Sequence, residues 1–135
     1  MHLLMSILLF IGPPAIDSSK LEISINEVQI GKGPVIVNIY NSKESFFKVA
    51  FKTKSIAPDN KTVHISFNLL PGTYAISVFQ DINNNGILDF GMFHIPKEPT
   101  GFGNNFKPKF SAPTFDDCAV PIDKNDKIVE INLST

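Results

Sequence analysis

The 135-residue sequence has one cysteine, no tryptophan and few charged residues. The shortage of cysteine and the shortage of charge each exclude a class of protein. The single cysteine, Cys118, cannot form a disulfide within the chain, which excludes a disulfide-rich scaffold. Charged residues make up only 19% and the formal net charge is −1, so no nucleic-acid partner is expected. No window carries a sustained apolar repeat at helical spacing, which argues against long helices.

What is present instead is a series of short segments in which apolar and polar residues alternate, as in half-buried strands. Leu21, Ile23 and Ile25 form one such series, and TYAISVFQ is the clearest central strand. Ten prolines and eight glycines supply turns between these segments. We therefore predict one all-β domain, an antiparallel β-sandwich of about seven strands.

The segment 91–117 is longer than an ordinary loop and has no period. It carries five phenylalanines, which a disordered linker seldom does. We expect it to be one long packed loop over an open end or face of the sandwich, with its aromatic side chains acting as a lid on the core.

Residues 1–19 are predicted to be a signal peptide and residues 20–135 the β-sandwich domain. Leu3 to Ile11 is a nearly unbroken apolar run, followed by Pro13 and Pro14 and then by small polar residues. The run is too short to span a membrane, so no transmembrane segment is expected in the mature chain. The expected location is the periplasm or the extracellular space. Because no Lys or Arg precedes the run, a first core strand is the alternative.

Residues 81–90 read DINNNGILDF and match a calcium-loop pattern of oxygen-bearing side chains at alternating positions. The candidate calcium ligands are the side chains of Asp81, Asn83, Asn85 and Asp89 and the backbone carbonyl of Ile87.

A helical calcium hand is excluded, because Met92 stands where such a loop has a bidentate glutamate and a strand precedes the loop. With so few carboxylates, any calcium site should be weak, with a dissociation constant of about 10⁻⁴–10⁻³ M. Glu98, Asp116 or Asp117 could fold back and complete the shell. The alternative is a turn closed by its own hydrogen bonds without metal, since Asn and Asp bond readily to nearby backbone.

Three motifs in register, LPGTYAISVFQDINNNGILD, HIPKEPTGFGNN and SAPTFDDCAV, resemble those of the bacterial domain-of-unknown-function family 2141. The resemblance implies a small exported protein of Gram-negative bacteria with a prealbumin-like or immunoglobulin-like sandwich, and it implies no established activity. Gln80 replaces the family's histidine, which removes an imidazole ligand or base. His94 replaces a glycine, and Cys118 replaces a small alanine, which fits a buried structural thiol.

Five residues of the second motif are candidate ligand-binding residues at the loop end: Lys97, Glu98, Phe102, Asn104 and Asn105. Charge beside aromatic rings suits contact with a ligand, which could be a cation, a carbohydrate or a partner protein. A solvated surface pair is the alternative for Lys97 and Glu98.

The sequence thus predicts a non-enzymatic, monomeric, exported protein with a binding or structural role in the bacterial envelope. One rival is a hydrolase that uses Asp81, Asp89 or Glu98 as acid and base. Another is an envelope assembly component that binds its partner through an exposed sheet edge.

Overall fold

A computed structural model describes residues 17–92 and 96–135, and the chain forms eight strands there. They are β1 (Ser19–Asn26), β2 (Val35–Tyr40), β3 (Lys52–Ile56), β4 (Val63–Leu69), β5 (Gly72–Gln80), β6 (Thr100–Phe102), β7 (Ala119–Ile122) and β8 (Lys127–Asn132). Two single-turn 3₁₀ helices cover Gly103–Asn105 and Asp116–Cys118. In the described ranges, no helix is long and apolar enough to cross a membrane.

The predicted signal peptide falls almost wholly outside the described residues, as do Phe93 and the first two residues of the second motif, His94 and Ile95. Its last residue, Ser19, is the first residue of β1. The Ser19 hydroxyl is buried and donates to the Asp123 carbonyl at 2.7 Å. The ordered domain therefore includes Ser19.

The eight strands form the two sheets of a sandwich, which confirms the predicted all-β class. The three-stranded sheet has the order β4-β1-β8, and the five-stranded sheet has the order β3-β2-β5, with β6 and β7 both pairing with the far edge of β5. The pairing is antiparallel except between β1 and β8, which run parallel. This departs from the wholly antiparallel expectation because β7 belongs to the five-stranded sheet, so the chain changes sheets before β8 begins.

The inner core lies between the two sheets and follows the alternation in the sequence. Leu21, Ile23 and Ile25 of β1 are fully buried, while Glu22 and Asn26 are only partly so. Val63, Ile65 and Phe67 of β4 face them from the neighbouring strand. The alternating segments thus fix which face of each strand turns inward.

Strand β5 departs from this alternation, because all seven residues Tyr74–Gln80 are buried. Tyr74, Ile76 and Val78 pack into the inner core. On the opposite face a second apolar group, here called the outer cluster, covers the five-stranded sheet. Its buried members are Tyr40, Ala75, Phe102, Phe115 and Cys118.

The outer cluster explains the long aromatic segment 91–117, which packs as predicted over one face of the sandwich. Phe102 and Phe115 are buried and Phe106 is partly buried. Phe110 differs, since 86% of it is exposed. Phe46 and Phe47 complete the cluster from the turn that joins β2 to β3.

Side chains cap the backbone at the free edges of the sandwich. Lys52 Nζ on β3 donates to the Asn68 carbonyl of β4 at 2.8 Å, and Lys54 Nζ donates to the Ser66 carbonyl. Both carbonyls belong to β4, which is an edge strand of the three-stranded sheet. These two lysines, the lysine caps, therefore cover the groups that another strand would need.

Candidate functional site

The candidate site is the loop that follows β5, and its first residue is a buried carboxylate. Asp81 is 1% exposed, and its backbone N–H donates to the Pro34 carbonyl at 2.8 Å. Its two carboxylate oxygens accept from the backbone N–H groups of Asn85 at 3.2 Å and Gly86 at 2.7 Å. Gly86 has a φ of 80°, a conformation in which glycine is favoured. Asp81 is thus the central acceptor of the turn.

The remaining polar side chains of the loop also bond within it. Asn83 Oδ1 accepts from Asn85 N at 3.4 Å, and Asn85 Oδ1 accepts from Ile87 N at 3.1 Å. The side-chain amides of both asparagines donate to Asp89 Oδ2, at 2.7 and 3.0 Å. The loop is closed by its own hydrogen bonds, in the manner of the metal-free alternative.

The five predicted calcium ligands lie on this loop, and the four that are side chains already accept hydrogen bonds. Asp116 and Asp117 lie elsewhere: Asp116 pairs with Lys43 at 3.0 Å, and Asp117 accepts from Thr114 N at 2.9 Å. Within residues 17–92 and 96–135, no three His, Cys, Asp or Glu side chains are grouped to hold a metal. Only Glu98, of the three carboxylates considered for completing the shell, reaches the loop.

Glu98 joins the loop to the second motif. Its side chain is 6% exposed, and its two oxygens accept from the backbone N–H groups of Ile82 at 2.8 Å and Asp89 at 3.4 Å. Lys97 N donates to the Asp89 carbonyl at 2.9 Å, so the backbones also bond directly. Lys97 and Glu98 therefore lie beside the loop.

The two segments form one side of an open cleft of about 590 Å³, here called the loop cleft. Its polar lining comes from Gln29, Asn83, Asp89, Lys97, Glu98 and Thr135. Ile82, Phe90 and Pro99 supply apolar surface. Lys97 and Glu98 are thus brought together with the loop residues, while nothing in the sequence around Gln29 marked it for this position.

The other three predicted binding residues lie away from the cleft and serve the fold. Phe102 is 1% exposed and packs edge-on against Phe47, with ring centroids 6.2 Å apart. Asn104 Nδ2 donates to the Ala119 carbonyl of β7 at 2.8 Å. Asn105 Oδ1 accepts from Asn132 N of β8 at 2.9 Å. The two asparagines cap sheet edges, as the lysine caps do.

Gln80 replaces a motif histidine and has a structural role that sequence reasoning missed. Its side chain is fully buried, accepts from Gln29 N at 2.9 Å, and donates to the carbonyls of Gln29 at 2.6 Å and Gly33 at 3.0 Å. These bonds hold the connection between β1 and β2 against β5. A polar residue in line with Tyr74, Ile76 and Val78 was the available signal, because a buried amide needs partners.

A serine and a histidine meet on the outer face of the three-stranded sheet, but without the geometry of a nucleophile. Ser24 Oγ lies 2.9 Å from His64 Nδ1, and Glu22 Oε1 lies 3.6 Å from that same nitrogen. A catalytic triad needs the carboxylate and the hydroxyl on opposite ring nitrogens. His64 is a surface residue of β4, with 59% of its side chain exposed.

Cys118 is the buried structural thiol that the sequence predicts. It is fully buried in the outer cluster. Burial, together with the nearby negative charge of Asp117, raises the pKa of Cys118 to about 12. Since the thiolate is the reactive form, this thiol is not a nucleophile at neutral pH.

Residues 23–130 of the chain match a protein-family model described as "Uncharacterized protein conserved in bacteria (DUF2141)". A search of curated proteins and a search of solved structures found no match. The family match covers the loop, the second motif and Gln80, so all of the candidate site except Thr135 lies inside it.

Proposed function

Since the chain belongs to this bacterial family, whose description assigns no activity, we propose a function from its geometry: an exported, non-enzymatic binding protein of the envelope that holds a carbohydrate in the loop cleft. One observation carries the proposal. The buried Glu98 carboxylate bonds to both ends of the loop and so fixes the polar groups of two segments around a single cleft.

The lining of the loop cleft suits a sugar. The amides of Gln29 and Asn83, the Asp89 carboxylate and the Lys97 amine offer donors and acceptors for hydroxyl groups. Phe90, which is 37% exposed, offers an apolar face for the carbon side of a sugar ring. A cleft of about 590 Å³ falls within the usual size of small-ligand sites.

The state of the loop carboxylates supports binding over hydrolysis. Asp81 and Glu98 each accept from two backbone N–H groups, and Asp89 accepts from two side-chain amides. A glycosidase needs one carboxyl group to protonate the leaving oxygen and a second to act as a base or nucleophile. Because the carboxylates of Asp81, Asp89 and Glu98 accept hydrogen bonds from the loop itself, they hold the loop together. This supports the loop as the wall of a binding site.

The edges of the sandwich support a cleft over strand addition as the binding device. The lysine caps cover β4, while Asn104 and Lys127 Nζ cover the carbonyls of Ala119 and Pro121 on β7. A strand can be added only where such groups are free. The covered carbonyls of β4 and β7 therefore make these two edges unsuited to strand addition.

The test is a titration with neutral and N-acetylated oligosaccharides, followed by calorimetry and by backbone NMR shifts. We expect the largest shifts at Asn83, Asp89 and Lys97. The Lys97→Ala variant should bind about tenfold more weakly, through loss of one charge-assisted hydrogen bond, without a change in melting temperature. Lys107→Ala, also at an exposed lysine, is the matched control. Shifts that avoid the cleft, or equal affinity of the two variants, would refute the proposal.

Export is part of the proposal and is supported by the apolar run at residues 3–11. Expression of the full chain in a Gram-negative host, fractionation and mass measurement of the intact protein test it. Recovery from the periplasm with the N-terminal apolar run removed is the expected result. A full-length chain recovered in the cytoplasmic fraction would contradict it.

A second candidate function is a weak calcium site on the same loop, favoured by one observation. Backbone N–H groups hold the carboxylate and amide oxygens of Asp81, Asn83 and Asn85 in fixed orientations. A site of about 10⁻⁴ M would stabilise the fold by about 1.4 kcal/mol at millimolar calcium. Melting curves with calcium and with chelator measure this shift, which Asp81→Ala should abolish. If the melting temperature of the wild-type protein is the same with calcium and with chelator, this function is ruled out.

A further inference from the structure

A second cavity lies on the outer face of the five-stranded sheet, on the other side of the loop from the loop cleft. It has a volume of about 210 Å³ and is here called the aromatic notch. Its floor is formed by Tyr40 of β2 and by Ser77 and Phe79 of β5. Phe47 and Phe90 form its walls, with the loop residues 86–88 between them.

The chemistry of the notch differs from that of the loop cleft. None of the nine described residues that line it carries a charge, and four of them are aromatic. Phe47 and Phe90 meet edge-on, with ring centroids 5.9 Å apart. Tyr40 and Ser77 are both buried, and both line this cavity, so their hydroxyls lie at its floor. The notch therefore presents aromatic walls around a small polar group formed by Tyr40, Ser77 and the Asn38 side chain.

The backbone of Phe47 is strained in a way that serves the notch. Its φ is 58°, a left-handed conformation that is unusual for a bulky residue. This conformation keeps the ring beside Tyr40, Phe90 and Phe102, with centroids 6.1, 5.9 and 6.2 Å away. Strain of this kind is frequent where a side chain is held ready for a ligand.

We propose that the aromatic notch binds a small neutral molecule with one aromatic ring and one hydroxyl group. The ring packs between Phe47 and Phe90, and the hydroxyl bonds to the Tyr40–Ser77 pair. A ring of this size fits, because an apolar cavity of about 150 Å³ is enough to hold benzene. A carboxylate in its place would be buried without a cation to pair with, which is costly.

The probe is phenol, with benzoate as the charged comparison of similar size, each titrated into the wild-type protein and followed by backbone NMR. Saturable phenol shifts centred on Ser77, Phe79 and Phe47 are expected, with a dissociation constant on the order of 1 mM. Benzoate should bind at least about tenfold more weakly. Phenol shifts that stay linear, that spread evenly over the surface, or that benzoate reproduces would overturn the proposal.

Two variants separate the polar and aromatic contributions. Ser77→Ala removes half of the hydroxyl pair, and Phe47→Leu removes one ring from the wall. Each should weaken phenol about fivefold. The control is Phe51→Leu, at a half-exposed ring that lies against Tyr74 and outside the notch. If all three variants bind phenol as the wild type does, the notch is not the site.

The outcome is independent of the proposed carbohydrate function. Lys97 does not line the notch, so Lys97→Ala should leave phenol binding unchanged. If the protein binds phenol but no oligosaccharide, the aromatic notch is supported and the carbohydrate function is refuted. If it binds an oligosaccharide but not phenol, the carbohydrate function is supported and the aromatic notch is refuted.

Discussion

Gln80 is a fully buried amide on a strand whose other inward-facing side chains are apolar, and its three bonds all go to backbone groups of Gln29 and Gly33. Because all three of its hydrogen bonds must be satisfied together, this buried amide fixes the connection between β1 and β2 in one position. Because Gln29 also lines the loop cleft, Gln80 positions part of the cleft from within the core.

The substitution Gln80→Glu tests this role. It replaces an N–H₂ donor with a carboxylate oxygen that faces two carbonyl oxygens, and it introduces a buried charge. We expect a loss of about 3 kcal/mol or more in the free energy of unfolding, measured by urea denaturation at neutral pH. Gln29→Glu makes the same change on an exposed side chain and should cost less than about 0.5 kcal/mol. Equal losses would mean that the Gln80 bonds contribute little.

Cys118 provides a prediction for the pH dependence of stability. Its pKa is about 12 when folded, against a value of 9.0 for an unperturbed thiol. The unfolded chain therefore releases a proton above about pH 9 that the folded chain retains, so stability falls as pH rises through that range. Urea midpoints between about pH 7 and 10 should decline, and Cys118→Ala should flatten the decline.

Alkylation of the same thiol gives an independent measurement. At about pH 8 the native protein should react with iodoacetamide at least a hundredfold more slowly than a free cysteine, because little thiolate forms. Urea-unfolded protein is the control and should react at the ordinary rate. Rapid labelling of the native chain would contradict the burial of Cys118.

Among the elements, the edge strands show how the sandwich avoids pairing with other chains. The lysine caps reach from β3 in one sheet to β4 in the other and occupy two backbone carbonyls there. Pro121 on β7 has no N–H to offer, and Lys127 covers its carbonyl at 2.9 Å. Edge strands protected by lysine and proline are a known defence against aggregation.

The double variant Lys52→Ala and Lys54→Ala should expose the β4 edge. We expect a modest loss of stability, about 1 kcal/mol, and an increase in self-association with concentration. Analytical ultracentrifugation over a concentration series measures the association. The double variant Lys32→Ala and Lys109→Ala removes the same charge from exposed lysines away from that edge and should sediment as the wild type does. Identical behaviour of the two variants would exclude an edge-protecting role.

Elements with a local pattern could be predicted from sequence, and contacts between distant residues could not. The alternation in β1 and β4, and the turn after β5, follow from neighbouring side chains. The parallel pairing of β8 with β1 does not, because it depends on which sheet β7 joins. Asn104 and Asn105 were grouped with Lys97 by motif, yet their partners are backbone groups 15 and 27 residues away. Only the fold reveals such partners.

At the scale of the whole molecule, β5 belongs to two apolar groups at once. Its inward residues lie in the inner core, and its outward residue Ala75 lies in the outer cluster. Neither group can lose its packing without disturbing this strand. The described domain should therefore unfold as one cooperative unit.

The two tyrosines allow this to be measured, because Tyr74 lies in the inner core and Tyr40 in the outer cluster. In Tyr40→Phe the tyrosine band of the near-ultraviolet circular dichroism comes from Tyr74 and reports only the inner core. In Tyr74→Phe the same band comes from Tyr40 and reports only the outer cluster. Within each variant we expect this signal and the far-ultraviolet signal to give the same melting temperature. If the tyrosine signal of Tyr74→Phe is lost at a lower temperature, the outer cluster opens separately.

The parallel pair of β1 and β8 also sets an order of events during synthesis. β1 spans Ser19–Asn26, and its partner Lys127–Asn132 is the last of the eight described strands to leave the ribosome. Until then Leu21, Ile23 and Ile25 have β4 on one side and an open edge on the other. The three-stranded sheet therefore cannot form until β8 has been made, so the nascent domain stays incompletely folded until that strand emerges.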